Sequence, residues 1–282
     1  MTAESRFISL TDGVRMHYCD CPGGAGRPPL LCLHGLTRNS RDFAGFAARY
    51  APRFRVVVPD FRGRGESGYD PHPQRYTPLT YAADVIQLLD QLGISEGVFV
   101  GTSLGGLVTM TVGAMQLNRI AGTILNDVGP ELETAGLDRI RDYLGKDSRF
   151  ASWDETARAI AHSQGGAYPS YGAGEWLAMA RRNCREEGGE IRFDYDMAIA
   201  RPFETAGAAP RIDLWPLFAA LATKPLLVVR GDQSDLLSAA AAEKMTAASP
   251  NVTVATVPGV GHAPTLDEPE AVAAIDAFLA QF

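Results

Sequence analysis

The chain has 282 residues, of which 46% are hydrophobic and 21% charged, and its formal net charge is -7 at pH 7. This length accommodates one large α/β domain or two ordinary domains, and the composition is that of a globular protein. The acidic balance argues against nucleic acid or an anionic membrane surface as the main partner. We therefore expect a small neutral or mildly polar substrate. As to oligomeric state, the sequence is compatible with a homodimer.

The amino-terminal residues lack the basic start and apolar run of a signal peptide, and no stretch approaches the roughly 20 apolar residues that cross a bilayer. We therefore expect a cytoplasmic protein whose cysteines, Cys19, Cys21, Cys32 and Cys184, are reduced thiols. Cys19-Asp20-Cys21 has no second ligand pair at a suitable spacing, so no metal site is predicted.

Hydrophobic patterns predict alternating strands and helices over most of the chain. The chain begins with two β-type runs around Asp12-Gly13, which predict an antiparallel hairpin. Apolar runs at 30–34, 54–60 and 97–101 predict buried parallel strands, with helical patterns at 40–51 and 81–93 between them. A helix at 104–115 and a strand at 120–129 continue the alternation.

The alternation stops between 131 and 215, a segment rich in Gly, Arg, Trp and Tyr that we interpret as a mainly helical insertion. It resumes with a strand at 224–232, followed by a helix, a strand and a final amphipathic helix. The predicted organisation is therefore one core domain made of 1–130 and 216–282, with 131–215 inserted as a helical cap.

The strongest motif is Gly101-Thr102-Ser103-Leu104-Gly105, between an apolar strand and a helix. A G-x-S-x-G pentapeptide in this context predicts a nucleophile elbow, in which a strained turn exposes the serine at the carboxyl end of the sheet. The Leu104 N–H then lies at a helix amino terminus, where free amides favour an anion. Ser103 is the predicted nucleophile, with Leu104 as one donor to an oxyanion.

His34-Gly35-Leu36 follows the first parallel strand, and we expect the Leu36 N–H to be the second oxyanion donor. His34 is expected to hold this loop by hydrogen bonds and is also a candidate for substrate contact. A later histidine, His262, lies in a glycine-rich turn between the last strand and the final helix. Loops at the carboxyl ends of parallel strands converge on one crevice, so His262 is the predicted base.

A histidine base requires a carboxylate that fixes its tautomer and stabilises the imidazolium. Asp235, shortly after the strand at 224–232, is the favoured candidate because it gives the chain order Ser, Asp, His. Asp127, at the end of the preceding predicted strand, and Asp232 remain alternatives.

These stretches resemble the successive signatures of the α/β-hydrolase superfamily: Leu33-His34-Gly35, the loop from Pro59 to Ser67, Gly101 to Gly106, Gly231 to Asp235, and Gly261 to Pro264. The resemblance covers nearly the whole chain outside the cap. It implies an eight-stranded, mostly parallel sheet with an amino-terminal antiparallel hairpin and a cap inserted after the sixth strand. It also implies a Ser103, Asp235 and His262 triad with Leu36 and Leu104 as oxyanion donors.

The resemblance is to the branch that contains 3-oxoadipate enol-lactonases, meta-cleavage-product C–C hydrolases and cofactor-free haloperoxidases. Serine at position 103 argues against the haloalkane dehalogenases and epoxide hydrolases of this superfamily, which carry aspartate there. The predicted function is therefore hydrolysis of a small carboxylic ester or lactone without a metal or cofactor. C–C bond hydrolysis and a non-catalytic small-molecule receptor are the alternatives.

The cap is expected to determine specificity. Its candidate apolar wall residues are Trp153, Tyr168, Tyr171, Trp176 and Trp215, and its candidate polar contacts are Arg192 and Arg201. A buried cation would favour substrates that carry a carboxylate, whereas an apolar pocket would favour simple esters.

Overall fold

A computed structural model describes residues 3–205 and 213–282. Part of the predicted cap, 206–212, lies outside the described residues. The strands are β1 (Glu4–Ser9), β2 (Arg15–Cys21), β3 (Leu30–Leu33), β4 (Val56–Pro59), β5 (Gly97–Thr102), β6 (Ile120–Asn126), β7 (Arg149–Phe150), β8 (Cys184–Glu187), β9 (Glu190–Phe193), β10 (Leu226–Gly231) and β11 (Val252–Val257).

The α-helices are α1 (Ala44–Tyr50), α2 (Pro78–Gln91), α3 (Leu104–Gln116), α4 (Thr134–Tyr143), α5 (Trp153–Gln164), α6 (Ala173–Asn183), α7 (Arg201–Thr205), α8 (Trp215–Leu221), α9 (Ala239–Ala248) and α10 (Pro269–Leu279). Short 3₁₀ helices cover Ser40–Phe43, Pro73–Arg75, Leu117–Arg119 and Met197–Ala200. None of the helices in the described ranges is long and apolar enough to cross a membrane.

The main sheet has eight strands in the order β1-β2-β4-β3-β5-β6-β10-β11. The predicted hairpin is present: β1 and β2 pair antiparallel, and Gly13 in their turn has φ +87°, which glycine adopts without steric cost. Strand β2 also runs antiparallel to β4, while all pairs from β4 to β11 are parallel. The predicted fold class is therefore confirmed.

Helices cover both faces of this sheet, which is why its central strands are apolar throughout. On one face, Phe99 of β5 lies in a cluster with side chains of α2, α3 and α8. On the other face, Val98 and Val100 of the same strand lie in a cluster with side chains of α1 and α10. The sheet is rigidly held, so the loops at its carboxyl edge have fixed starting points.

Strand β6 ends at Asn126, three residues before the end that the sequence predicts. The reason is local: Asp127 has φ +55°, a left-handed conformation that cannot continue a strand. This turn sets the direction of the Asp127 side chain. That direction determines which carboxylate contacts His262 in the site described below.

Between β6 and α8 the described residues contain helices α4 to α7 and a small sheet in the order β7-β9-β8. The helices agree with the predicted character of this segment. The small antiparallel sheet was not predicted, because its two- and four-residue strands are partly exposed and lack a continuous apolar run.

Candidate active site

Ser103 lies at the turn between β5 and α3 with φ +51° and ψ −113°, a conformation that costs a non-glycine residue about 1–3 kcal/mol. The two motif glycines make the turn possible. A Cβ on Gly101 would lie 2.6 Å from the backbone of Gly105, and a Cβ on Gly105 would lie 2.0 Å from the carbonyl oxygen of Leu33. The sequence motif therefore forms the strained strand-to-helix turn that was predicted for it.

His262 lies within hydrogen-bond distance of Ser103, with 2.9 Å between His262 Nε2 and Ser103 Oγ. The cap segment before α6 supports its loop: the Gly261 N–H donates to the Ala167 carbonyl at 2.7 Å, and the Tyr168 hydroxyl donates to the Ala263 carbonyl at 2.7 Å. The structure thus brings together the predicted nucleophile and base, which are 159 positions apart.

The carboxylate beside His262 is Asp127, whose Oδ2 lies 2.8 Å from His262 Nδ1. The Asp127 side chain has no exposed surface. Its Oδ1 accepts the Gly231 N–H at 3.0 Å, and its Oδ2 also accepts the Ser234 hydroxyl at 2.6 Å. Three donors from two loops therefore hold this carboxylate in one orientation toward the histidine.

The structure corrects the favoured prediction for the acid. Asp235 faces α4, where the Arg139 guanidinium donates to both of its carboxylate oxygens at 2.5 and 2.8 Å. This ion pair holds the pKa of Asp235 below its usual range. Asp232 is exposed directly after β10, and its carboxylate accepts no hydrogen bond from His262. Asp127, one of the two alternatives, is the residue in contact.

The predicted oxyanion donors face the same place. The Leu104 N–H begins α3 beside Ser103, and Leu36 lines the cavity next to it. Within the described ranges, neither amide donates to a protein acceptor. Gly35 lies beside the nucleophile, since a Cβ there would be 3.9 Å from the Ser103 Cβ. This arrangement suits the binding of an oxyanion.

His34 is completely buried and holds the loop that carries Leu36. Its Nδ1 lies 2.8 Å from the Gly35 carbonyl oxygen, and its Nε2 accepts the Phe61 N–H at 3.1 Å. Burial lowers the pKa of His34 to about 4, so the ring is neutral near pH 7. The loop-holding role agrees with these contacts. The candidate role in substrate contact does not, because His34 is absent from the cavity wall.

A cavity of about 380 Å³ lies above Ser103 and His262. Its floor comes from the loops after β3, β5 and β11 and from Asn126 at the end of β6. Its roof comes from α4, the end of α5, the segment before α6, and α6 itself. Tyr168 and Tyr171, two of the predicted aromatic wall residues, line it. The cap segment therefore contributes directly to the site.

The other predicted wall residues lie outside this cavity. The Trp176 ring packs edge-on against Tyr168 and Tyr171, one layer behind the wall. Trp153 lies under the Arg181 guanidinium at 5.0 Å, and the Trp215 indole N–H donates to Glu131 at 3.0 Å.

The predicted polar contacts also lie elsewhere. Arg192 pairs with Glu187 on the small sheet, and Arg201 is exposed at the start of α7. Trp153, Trp176 and Trp215 are therefore engaged in other contacts of the protein, and Arg192 and Arg201 do not line the cavity. Arginines that line the cavity, Arg38, Arg41, Arg139 and Arg182, were not selected.

His17, which the sequence predicts to have a structural or solvated role, belongs to a buried pair far from Ser103 in sequence. It is 3% exposed, and its Nδ1 lies 2.8 Å from Asp60 Oδ2. Burial by itself lowers the pKa of His17, but the hydrogen bond and charge of Asp60 outweigh it and raise the pKa to about 9. The pair anchors β2 to the loop after β4.

No group of three or more potential ligands able to hold a metal ion occurs among the described residues. All four cysteines are free, and three of them are buried. Burial raises the pKa of the Cys32 and Cys184 thiols. These cysteines pack as small apolar side chains.

The model of the alpha/beta hydrolase family matches residues 30–275. The chain belongs to this family. The protein is therefore a hydrolase. A 3-hydroxybutyrate-oligomer hydrolase from Cupriavidus necator is 34% identical over 267 residues, covering 92% of this chain and 90% of that protein. A 2-(acetamidomethylene)succinate hydrolase from Mesorhizobium japonicum is 30% identical over 239 residues, covering 85% and 82%.

Among solved structures, an alpha/beta hydrolase from Novosphingobium aromaticivorans superposes on this hydrolase with a TM-score of 0.95. The two chains are 50% identical, and the similarity covers 99% of each. The likeness therefore extends over the cap segment as well as the sheet.

Proposed function

We propose that this hydrolase cleaves a carboxylic ester or lactone of a small molecule through Ser103, His262 and Asp127. The observation that carries the proposal is the continuous hydrogen-bonded chain from Ser103 Oγ through the His262 ring to Asp127. A nucleophile, a base and a buried acid in this sequence of contacts are the parts that acyl transfer requires. Asp127 takes the role that the sequence favoured for Asp235.

In the proposed reaction, Ser103 Oγ attacks the carbonyl carbon while its proton passes to His262 Nε2. Asp127 accepts the His262 Nδ1–H and stabilises the imidazolium that forms. The Leu36 and Leu104 N–H groups donate to the oxyanion of the tetrahedral intermediate. His262 then protonates the departing alcohol, which leaves an ester between Ser103 and the acyl group.

The second half of the reaction repeats these roles with water as the nucleophile. His262 takes a proton from water, the hydroxide attacks the acyl carbon, and collapse of the intermediate returns the proton to Ser103. The products are a carboxylic acid and an alcohol.

The relatives support ester chemistry at this site. The Cupriavidus protein is named for hydrolysis of 3-hydroxybutyrate oligomers, whose units are joined by ester bonds, and about a third of its residues are identical. We therefore place short esters of hydroxy acids first among the candidate substrates. We further propose that the protein acts in the cytoplasm without nucleic acid or membrane as a partner.

The test is a panel of substrates with wild-type protein and Ser103→Ala. The panel contains p-nitrophenyl acetate and hexanoate, 3-hydroxybutyrate dimer and trimer, a five-membered lactone and a dienoic ring-cleavage product. We expect sustained turnover of esters and a fall in kcat of roughly 10⁶ in Ser103→Ala. A variant that retains most of its esterase activity would contradict the assignment of Ser103.

Two other results distinguish the alternatives. Faster cleavage of the ring-cleavage product than of any ester would replace ester hydrolysis by C–C hydrolysis at the same residues. Binding of panel members without acylation or turnover would indicate a receptor on a hydrolase fold.

A further inference from the structure

The cavity above Ser103 has an unexpected charge for a protein whose formal net charge is -7. The Lys, Arg, Asp and Glu side chains that line it are Arg38, Arg41, Asp42, Arg139, Arg182 and Asp267. Four are cationic and two are anionic. Whether these charges are neutralised by neighbouring groups decides which substrates the cavity favours.

Two of the four arginines have close carboxylate partners outside the cavity wall. Arg139 forms the two-oxygen contact with Asp235 described above. Arg41 lies 2.6 Å from Asp194, but Arg185 also approaches that carboxylate at 3.3 Å. The first pair is neutral. Arg185 also lies 3.4 Å from Glu187, which Arg192 contacts as well, so Arg41, Arg185 and Arg192 share two carboxylates and retain one positive charge.

Arg38 and Arg182 are less well compensated. Both are near one carboxylate, Asp42, at 3.8 and 3.7 Å, which is longer than a hydrogen bond. Two guanidinium groups around a single carboxylate leave another positive charge. The other anionic lining residue, Asp267, lies 3.5 Å from Arg49 and does not approach Arg38 within ion-pair distance.

Arg38 stands out among these arginines because its side chain is only 16% exposed and yet poorly paired. Its Nη2 donates to Gln164 Oε1 at 3.0 Å. Its Nε and Nη1 have no hydrogen-bond acceptor in the described part of the chain. A guanidinium presents five N–H donors, so most of the donors of Arg38 meet no acceptor among the described residues.

Arg38 also lies beside the reacting serine. A Cβ placed on Gly35 would be 3.4 Å from the Arg38 Cγ and 3.9 Å from the Ser103 Cβ. The Arg38 side chain extends from the loop that carries the Leu36 amide to Gln164 at the end of α5. It therefore crosses the same cavity in which an ester bond would meet Ser103.

We propose that Arg38 is the anchor of a carboxylate subsite, and that the preferred substrate is a small ester with a free carboxylate a few bonds from the scissile carbonyl. This inference rests on the proposed function for the ester, but the subsite itself requires only that Arg38 bind an anion. A planar guanidinium with free parallel donors matches the two oxygens of a carboxylate.

Tyr143 adds a neutral hydroxyl to the same wall, close enough to Thr37 to form a hydrogen bond with it. Burial raises the pKa of its hydroxyl, which therefore stays protonated at neutral pH. The acidic product of the reaction would also be retained by this subsite until it exchanges with solvent. The excess positive charge favours an anionic substrate, unlike the neutral or mildly polar substrate expected from the net charge of the chain.

The test compares esters that differ only in the charged group. Monoethyl esters of succinate, glutarate and adipate are each paired with the ester in which a carboxamide replaces the carboxylate. The amide has the same shape and no charge, and the three lengths vary the distance between the ester and the anion. Steady-state kcat and KM are measured for wild type, Arg38→Gln, Arg38→Lys and a control, Arg53→Gln.

Arg53 is a matched control because it pairs with Asp276 on α10, is about half exposed, and does not line the cavity. Its substitution removes one positive charge without altering the subsite. We expect wild type to favour the carboxylate ester at one length or more by about 30-fold in kcat/KM, the range of a charged hydrogen-bonded pair. Arg53→Gln should keep this ratio.

In Arg38→Gln the preference should fall to about threefold or less, mainly through a higher KM, while hydrolysis of the carboxamide ester changes little. Arg38→Lys should keep part of the preference because the charge remains and the fork is lost. An unchanged ratio in Arg38→Gln would overturn the proposal. So would an equal loss on both esters, because that result indicates a structural link to Gln164 rather than anion binding.

A binding measurement separates this inference from the proposed function. Calorimetric titration of Ser103→Ala with monoethyl glutarate and with its carboxamide requires no turnover. If wild type hydrolyses no ester but Ser103→Ala binds the carboxylate in an Arg38-dependent way, the proposed function fails and the subsite stands. If esters are hydrolysed without a charge preference at any length, the subsite fails and the proposed function stands.

Discussion

Asp127→Asn is the substitution that most sharply tests which carboxylate serves His262. Asparagine has the same shape as aspartate but offers one acceptor oxygen and one NH₂ donor. If its oxygen faces the Gly231 N–H, its NH₂ faces His262 Nδ1 and the Ser234 hydroxyl. The imidazole must then carry its proton on Nε2 and cannot accept one from Ser103.

The opposite orientation of the amide is also unfavourable. With the oxygen toward His262, the NH₂ faces the Gly231 N–H, and two donors meet at a site with no exposed surface. An unsatisfied buried donor costs about 1–3 kcal/mol. The first orientation is therefore favoured, and the expected loss is the one measured for a wrong histidine tautomer in a serine protease, about 10⁴ in kcat.

The assay is kcat on a p-nitrophenyl ester for wild type, Asp127→Asn and Asp235→Asn, with thermal unfolding as a check on folding. Asp235→Asn is the matched control, because it makes the same chemical change in the loop after β10, the strand paired with β6, but only removes the pair with Arg139. That pair is about one-third exposed, so its loss should cost no more than about 1 kcal/mol and change kcat by less than about fivefold. A larger loss in Asp235→Asn than in Asp127→Asn would refute the reasoning.

Three further changes test the surroundings of the site. Ser234→Ala removes one donor to Asp127 and should lower kcat by about tenfold with KM nearly constant, which steady-state kinetics checks; an unchanged kcat would show that the hydroxyl does not position the acid. Gly105→Ala places a Cβ 2.0 Å from the Leu33 carbonyl oxygen and should lower both the Tm and the activity, in contrast to Gly174→Ala, where the added Cβ meets nothing within 4 Å. The His17 pair should contribute up to about 3 kcal/mol to the free energy of unfolding below pH 6.5, because the pKa of His17 is raised to about 9 in the folded state. This contribution should be lost as the pH rises through about 9, which denaturant titrations between pH 6.5 and 9.5 would measure. A loss of equal size in His17→Gln would contradict the assignment.

The nucleophile and the base were predictable because each depends on short-range sequence. A strand, two glycines and a helix determine the turn at Ser103, and a glycine-rich loop after the last strand carries His262. Both side chains then reach the crevice by the general geometry of a parallel sheet. In the structure, Ser103 Oγ and His262 Nε2 lie 2.9 Å apart, which agrees with this reasoning from the sequence.

The acid was not determined by the same reasoning. Asp127 follows β6, and Asp232 and Asp235 follow β10, which is paired directly with β6. All three therefore start from the same edge of the sheet, and Asp127 and Asp235 give the same order along the chain. What separates them is the left-handed turn at Asp127 and the position of Arg139 on α4, and both depend on tertiary contacts.

The cavity wall was the least predictable part. Tryptophans in the cap were selected for their size, but Trp176 packs behind the tyrosines that line the cavity. One signal was available: Arg38 lies three residues after Gly35, in the loop that must carry the second oxyanion amide. That loop belongs to the core sheet, so a cation in it lies close to the reacting serine independently of the structure of the cap.

The central claim is that Ser103 is a nucleophile activated by His262. Its most direct test is covalent capture with a fluorophosphonate, which releases fluoride as the serine oxygen bonds to phosphorus, followed by peptide mass spectrometry. The account predicts one adduct located on Ser103 in wild type, no adduct in Ser103→Ala, and labelling slowed by several orders of magnitude in His262→Ala. An adduct on another residue, or equally rapid labelling of Ser103 without His262, would contradict it.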